Sequence, residues 1–232
     1  MPCTYPLFTN CKSKSKEIGD KMSRYGMVID LTKCFGCKSC MAACSVENQS
    51  PFWADQSERK WRLKVDSKES GKFPKTMRFF AQNRCQHCDE PACEMVCPTS
   101  ATYVDSNGTV LVNDDTCVGC MACVDACPYD ARYFYSPEDI KMQDEKFTKE
   151  YSRHLVPHVD KCDFCQHRLE EGLEPACATT CIGDTINFFD LDDKENKFTK
   201  LVKDGKAKHL HAEFGMNPKV FYIGLPDKHW EI

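Results

Sequence analysis

Cys117, Cys120 and Cys123 are separated by two residues each, and Cys127 follows after three more with Pro128 directly behind it. Thiolates at this spacing are soft ligands that one loop can turn onto a single iron–sulfur cube. Cys127 lies one helical turn beyond Cys123, so it is carried away from that cube toward a neighbouring one. A run of this kind requires a second cysteine group, and the chain has three more. They are Cys34, Cys37, Cys40 and Cys44; Cys85, Cys88, Cys93 and Cys97, with Pro98 behind; and Cys162 and Cys165 with Cys177 and Cys181. Sixteen of the 18 cysteines fall into these groups, leaving Cys3 and Cys11 with no ligand spacing.

Disulfides do not require such regular clustering, whereas chelation does. Zinc also takes Cys-x-x-Cys pairs, but zinc ribbons use two pairs and have no use for a third cysteine two residues on and a fourth after three. The grouping therefore predicts four [4Fe-4S] clusters, with a zinc-structured interaction protein as the competing reading. Each cube with four thiolates contributes about −2, which takes the formal net charge of −4 to about −12. That balance argues against a nucleic-acid partner, and no basic patch with interleaved aromatics opposes it. No glycine-rich nucleotide loop and no nucleophile motif is present, so the chain reads as electron wiring without a substrate site of its own, not an enzyme by itself.

Because the fourth cysteine crosses over, the groups must pair, either as neighbours or as outer with outer and inner with inner. Residues 85–97 and 117–127 are separated only by a hairpin, as in a small two-cluster ferredoxin. We therefore expect one cube on Cys34, Cys37, Cys40 and Cys181 and a second on Cys85, Cys88, Cys93 and Cys127. The third falls to Cys117, Cys120, Cys123 and Cys97, and the fourth to Cys162, Cys165, Cys177 and Cys44. Gly36 and Gly119 sit between ligands where the backbone turns tightly. His87 and His167 each follow a Cys-Gln pair, where surface or supporting roles compete with ligation. Phe35, Tyr129 and Phe164 are candidates for shielding the cubes from water.

The elements that must position these ligands recur as strand, cysteine loop, short helix and strand. Strands are expected over 25–31, 60–66, 76–81, 131–135 and 185–191, residues 101–104 and 109–112 flank a hairpin turn at 105–108, and residues 219–223 are a final apolar stretch. Helices are expected from Lys38 through Cys44, over 166–171 with a stop at Gly172, and from a cap at Asp192 or Asp193 to Lys203. Residues 48–58 read as a loop, and residues 136–153 as a polar, charged insertion or partner-facing loop. The fold expected is α+β: two ferredoxin-like units related by pseudo-symmetry, the second inserted into the first. Residues 1–24 are an N-terminal extension, 25–83 and 150–200 the first unit with the outer cluster pair, 84–149 the inserted unit with the inner pair, and 201–232 a partner-contacting tail.

The order and spacing of the four groups, with two then four residues in the second and a long gap in the fourth, resemble the four-cluster iron–sulfur subunits of the dimethyl sulfoxide reductase family of molybdenum enzymes. The likeness covers about residues 25–200. Within that family the size and overall sequence are most similar to the small subunits of respiratory arsenate reductases. Polysulfide, tetrathionate and dimethyl sulfoxide reductases are alternatives, as is a free polyferredoxin-like carrier. In nitrate reductase relatives one cysteine of the third group is a tryptophan, and here Cys117, Cys120, Cys123 and Cys127 are all cysteine. The resemblance implies a large molybdenum bis-pterin catalytic partner, facing the outer cubes. A quinol-oxidising membrane subunit or a tetrahaem-type cytochrome would be the electron donor. No apolar run approaches the roughly 18 residues of a membrane span. Residues 1–21 lack a secretory apolar core and a twin-arginine pair. The expectation is a periplasmic protein exported folded with a twin-arginine-bearing partner, with the cytoplasm as the alternative.

Overall fold

The computed structural model describes residues 23–51, 60–146 and 154–225. Cys3, Cys11, most of the 1–24 extension, most of the 48–58 loop and residues 226–232 lie outside that range. The element at the centre is β1 (Tyr25–Asp30), whose last five residues are all buried. It pairs antiparallel with β8 (Ile186–Asp190) and parallel with β10 (Val220–Ile223), which pairs in turn with the short β9 (Lys208–His209). Alternation along β1 divides its side chains between two layers. Val28 packs with Phe189, Ala207 and Phe221 beneath α7 (Lys197–Lys203). Met27 and Ile29 face the opposite way, into the core that contains Cys40, Cys44, Cys85, Cys88, Cys162 and Cys177.

The described residues also form three two-stranded ribbons. β2 (Leu63–Lys72) and β3 (Lys75–Arg84) form a long hairpin whose base buries Leu63, Val65 and Ala81 while its tip is exposed. β4 (Thr102–Val104) pairs with β5 (Val110–Val112). The turn between them is held by Asp105, whose Oδ1 accepts from the backbone N–H groups of Asn107 and Thr109. β6 (Tyr133–Tyr135) pairs with β7 (His158–Asp160), joining segments that the sequence reading assigned to different units.

Short helices carry several of the cysteines. α1 (Ser39–Asn48) holds Cys40 and Cys44 and packs on α6 (Ala176–Thr179), which holds Cys177. α2 (Ala92–Met95) holds Cys93 and packs on α3 (Ala122–Asp125), which holds Cys123. α2 and α3 are each followed by a Cys-Pro pair that ends them; Ser45 stands in that place after Cys44, so α1 continues for a full turn to Asn48. α5 (Gln166–Glu170) follows Cys165, as expected.

Three sequence expectations change. Part of the stretch read as the 136–153 loop is α4 (Pro137–Lys146). Its start is a reciprocal cap, with Ser136 N–H and Oγ–H donating to Asp139 Oδ2 and Asp139 N–H donating to Ser136 Oγ. Ser136-Pro137 with an acidic first turn is a start signal that the surrounding charge obscured. In α7 the cap is Asn196, whose Oδ1 accepts from Phe198 N–H, not Asp192 or Asp193; both aspartates precede a turn that the helix does not yet include. Within residues 201–232, read as a tail, β10 is an interior strand with Val220, Phe221 and Tyr222 buried. Only long-range pairing to β1 makes a short apolar run near the terminus part of the core.

Candidate iron–sulfur sites

None of the sixteen grouped cysteines forms a disulfide. Cys34, Cys37, Cys40 and Cys181 line one pocket together with Phe35, Gly36, Gln82 and Thr185. Burial pushes the Cys40 thiol up to about 11 against the opposing pull of Arg84, and the nearby Cys177, Cys181 and Cys34 push the same way. Burial also raises Cys181, but hydrogen bonds from Thr185 outweigh it and hold that thiol below its ordinary value. Thr185 N–H lies 3.3 Å and its hydroxyl 3.1 Å from Cys181 Sγ. Gln82 Nε2 donates to Cys34 Sγ at 3.4 Å.

A second set is deeper. Burial, followed by Cys162 and Cys177, raises Cys44 far above its usual range, with Cys165 adding to it. Burial raises Cys162 and Cys165 as well. The extra turn of α1 places Asn48 Nδ2 at 3.6 Å from Cys44 Sγ and 3.8 Å from Cys165 Sγ. Arg84 Nη1 donates to Cys177 Sγ at 3.3 Å.

In the third set, burial raises Cys88, with Cys85, Cys93 and Cys127 contributing in that order. Cys93 is pushed up to about 11 by burial despite Arg132, whose Nη2 donates to its Sγ at 2.9 Å. The remaining cysteines are more open. Cys117 is half-buried and accepts from Val159 N–H at 3.5 Å, Cys120 is exposed, and Cys123 is buried on α3. Cys97 follows α2 and accepts from Thr102 N–H at 3.5 Å. Burial raises this thiol, but bonds from Thr102 and Thr99 prevail and hold it below its ordinary value.

Two arginines lie between sets. Arg84 is buried and stays charged because Cys177, Cys162 and then Cys40 outweigh its desolvation. Arg132 is kept charged in the same way by Cys93, Cys85 and Cys123. Periodicity marked neither, since both sit in strand-like runs where an arginine suggests an exposed face. His87 is wholly buried; its Nδ1 accepts from Val110 N–H at 3.2 Å, and its ring stacks on Phe164 at 3.7 Å between centroids. Burial, then Lys161, Lys219, Arg132 and Arg84, holds its pKa far below the ordinary histidine value. His167 instead pairs with Glu47 at 2.7 Å. Tyr129 and Phe164 are buried, whereas Phe35 is 55% exposed, so it does not seal its pocket within this chain.

Gly36 and Gly119 have φ of 73° and 66°. A Cβ at Gly36 would overlap the Phe80 ring, and one at Gly119 would meet the Phe134 ring at 2.7 Å. Both loops therefore need glycine for backbone sign and for space.

Groups of buried thiolates held close together repel one another unless a cationic core is shared among them. The all-sulfur donor set, with N–H groups aimed at the sulfurs, fits iron–sulfur clusters. The sequence pattern of the 4Fe-4S dicluster domain matches residues 75–191, and that of a 4Fe-4S binding domain matches residues 31–47. The protein is thus a [4Fe-4S] protein whose sixteen grouped cysteines suffice for four clusters.

The chain is 35% identical to a tetrathionate reductase subunit of Salmonella typhimurium over 93% of this chain and 78% of the relative. It is 36% identical to the iron–sulfur subunit of a putative dimethyl sulfoxide reductase of Halobacterium salinarum, over 90% and 84%. It is 34% identical to the arsenate respiratory reductase iron–sulfur subunit of Shewanella sp., over 86% and 96%. The chain belongs to this family of reductase iron–sulfur subunits. The arsenate-linked relative does not stand apart from the others, so similarity alone does not select its substrate.

Proposed function

We propose that the chain relays single electrons between a large molybdenum bis-pterin catalytic subunit and a quinol-oxidising membrane subunit or tetrahaem-type cytochrome. Bound clusters supply the one-electron storage. The residues of this chain hold them, exclude water and set the local charge. The observation that carries the reading is the continuity of the cysteine sets. Arg84 touches the charges of Cys40 on one side and of Cys162 and Cys177 on the other. Arg132 does the same for Cys85 and Cys93 against Cys123. The His87–Phe164 stack joins the loop of Cys85 and Cys88 to that of Cys162 and Cys165.

With the ligand sets expected above, the order along the wire is Cys34/Cys37/Cys40/Cys181, then Cys162/Cys165/Cys177/Cys44, then Cys85/Cys88/Cys93/Cys127, then Cys117/Cys120/Cys123/Cys97. The packing of α1 on α6 and of α2 on α3 supports two dicluster halves, the inner one inserted in the outer. The Cys34 end faces the catalytic subunit, where exposed Phe35 and Cys37 offer the contact.

Arsenate is the first substrate to assay for the complex, with tetrathionate and dimethyl sulfoxide as the deciding alternatives. The complex resides in the periplasm, delivered with a twin-arginine-bearing partner. Purification from the native cell, followed by iron–sulfur absorbance, is expected to yield a periplasmic complex with a large molybdenum-containing chain, about 16 iron per copy of the present chain and arsenate reductase activity. Elution of the iron-loaded chain alone would support a free carrier instead. Turnover of another oxyanion or sulfoxide would reassign the substrate, and recovery in the cytoplasm would overturn the localisation.

A further inference from the structure

Beside β7, three metal-ligating side chains converge that none of the cysteine groups uses. His154, His158 and Asp114 bring one ligand atom each to within 4.8 Å of one another. Nδ1 of His154 is 3.2 Å from Nε2 of His158, and that Nε2 is 3.5 Å from Asp114 Oδ2. Both imidazoles are buried, and their outer nitrogens are committed. His154 Nε2 lies 2.9 Å from the Asn48 carbonyl oxygen, and His158 Nδ1 lies 2.7 Å from that of Val156. A carbonyl oxygen can only accept, so each of these nitrogens carries its ring's proton. In neutral rings the two nitrogens that face each other are then both bare lone pairs, with a carboxylate beside them. Such a triad is repulsive until a cation sits among its members. Donation of the outer N–H to a backbone carbonyl is also how a metal-ligating histidine is oriented. Tyr135 stacks on both rings, at 4.3 Å and 5.7 Å between centroids, and fixes their planes.

We propose that His154, His158 and Asp114 form a site for one divalent metal ion of borderline softness, zinc before others, with water as the fourth ligand. Two imidazoles and a carboxylate suit that ion, whereas calcium and magnesium take oxygen ligands. Asp114 and His154 line a cavity of about 420 Å³, which gives the fourth position access to water. The ion joins three segments. Asp114 lies just ahead of Cys117, His158 opens the strand leading to Cys162, and His154 bonds the carbonyl of Asn48 at the end of α1. It acts as a staple between loops that carry different cysteine sets, not as part of the electron path.

The test uses the full chain with its iron complement intact, stripped of loosely held metal and titrated with zinc against a chromophoric chelator. One zinc per chain is expected above the iron, with a zinc-edge absorption spectrum fitted by nitrogen and oxygen at about 2.0–2.1 Å and no sulfur. Asp114→Asn is expected to weaken binding at least about tenfold, and His158→Gln to abolish it, with iron content unchanged. Failure to retain zinc at full iron content overturns the proposal and leaves a proton between the two rings. Zinc held by sulfur at about 2.3 Å also overturns it, because the ion then occupies cysteine sites. If His158→Gln does not assemble, Asp114→Asn decides, since Asp114 is 42% exposed; unchanged affinity in that variant overturns the proposal.

Discussion

Buried charge is the residue-scale feature that the cysteine pattern does not announce. Arg84 donates to Cys177 Sγ and Gln82 Oε1, and it lies within reach of two cysteine sets. A cation beside a thiolate-bound cluster stabilises the reduced, more negative state. Arg84→Gln keeps a polar group but removes that charge, and the loss of a charge-assisted bond of about 1.5–3 kcal/mol corresponds to roughly 65–130 mV for one electron. We expect redox titration of the holo chain to show two of the four clusters shifted negative by that order, and the others unchanged. Arg62 is a different case. It forms a two-pronged bond to Asp160 at 2.6 and 2.8 Å, donates to Asn48 Oδ1, and is 5% exposed. Tyr133 O–H also donates to Asp160. Burial raises Asp160, but Arg62 outweighs it and holds the carboxyl far below its usual range. Arg62→Ala strands a buried carboxylate and is expected to cost about 3–5 kcal/mol in denaturant unfolding. Part of that loss should return in the Arg62→Ala/Asp160→Asn double variant; a single-variant cost below about 1 kcal/mol would remove the pair from the account of stability.

At the scale of elements, the cysteine loops are shaped by backbone sign and by aromatic neighbours. Gly119 and Gly205 have nearly the same φ, 66° and 68°, but a Cβ at Gly119 meets Phe134 at 2.7 Å and one at Gly205 meets nothing within 4 Å. Gly205→Ala should therefore lose only the left-handed backbone preference, about 1–2 kcal/mol. Gly119→Ala should lose that and displace Phe134 as well, so its melting temperature and bound iron are both expected to fall below those of Gly205→Ala. Equal behaviour of the two would mean that the loop does not depend on the Phe134 contact. The contrast between α1 and its counterparts has the same kind of cause. Ser45 permits the helical turn that proline would end, and that turn delivers Asn48 to two sulfurs, to Arg62 and to His154.

For the whole molecule, the ligand crossover proposed above would make the four sets one structure rather than four modules. Cys97 follows α2, and α2 packs on α3, the helix of Cys123. In Cys97→Ser we expect the spectroscopic change in the cluster held by Cys117, Cys120 and Cys123. A change in that of Cys85, Cys88 and Cys93 would break the crossover rule for this chain. The same interdependence appears in the pairing of β6 with β7 and of β1 with β10, each of which joins segments far apart in sequence.

What the sequence determined by itself was the chemistry. Cysteine spacing of two and three residues is a local constraint, and local constraints survive in a string of letters: the cluster class, the helix bearing Cys40 and Cys44, and the glycine turns were all legible there. Tertiary structure decided what depends on distant partners. Val220–Ile223 became an interior strand because β1 needed a second neighbour. Arg84 and Arg132 became buried counter-charges because separate cysteine sets surround them. His154 and His158 face Asp114 only because β7 lies beside the loop that follows β5. Burial and charge pairing are sums over the whole fold, and no window of sequence contains them.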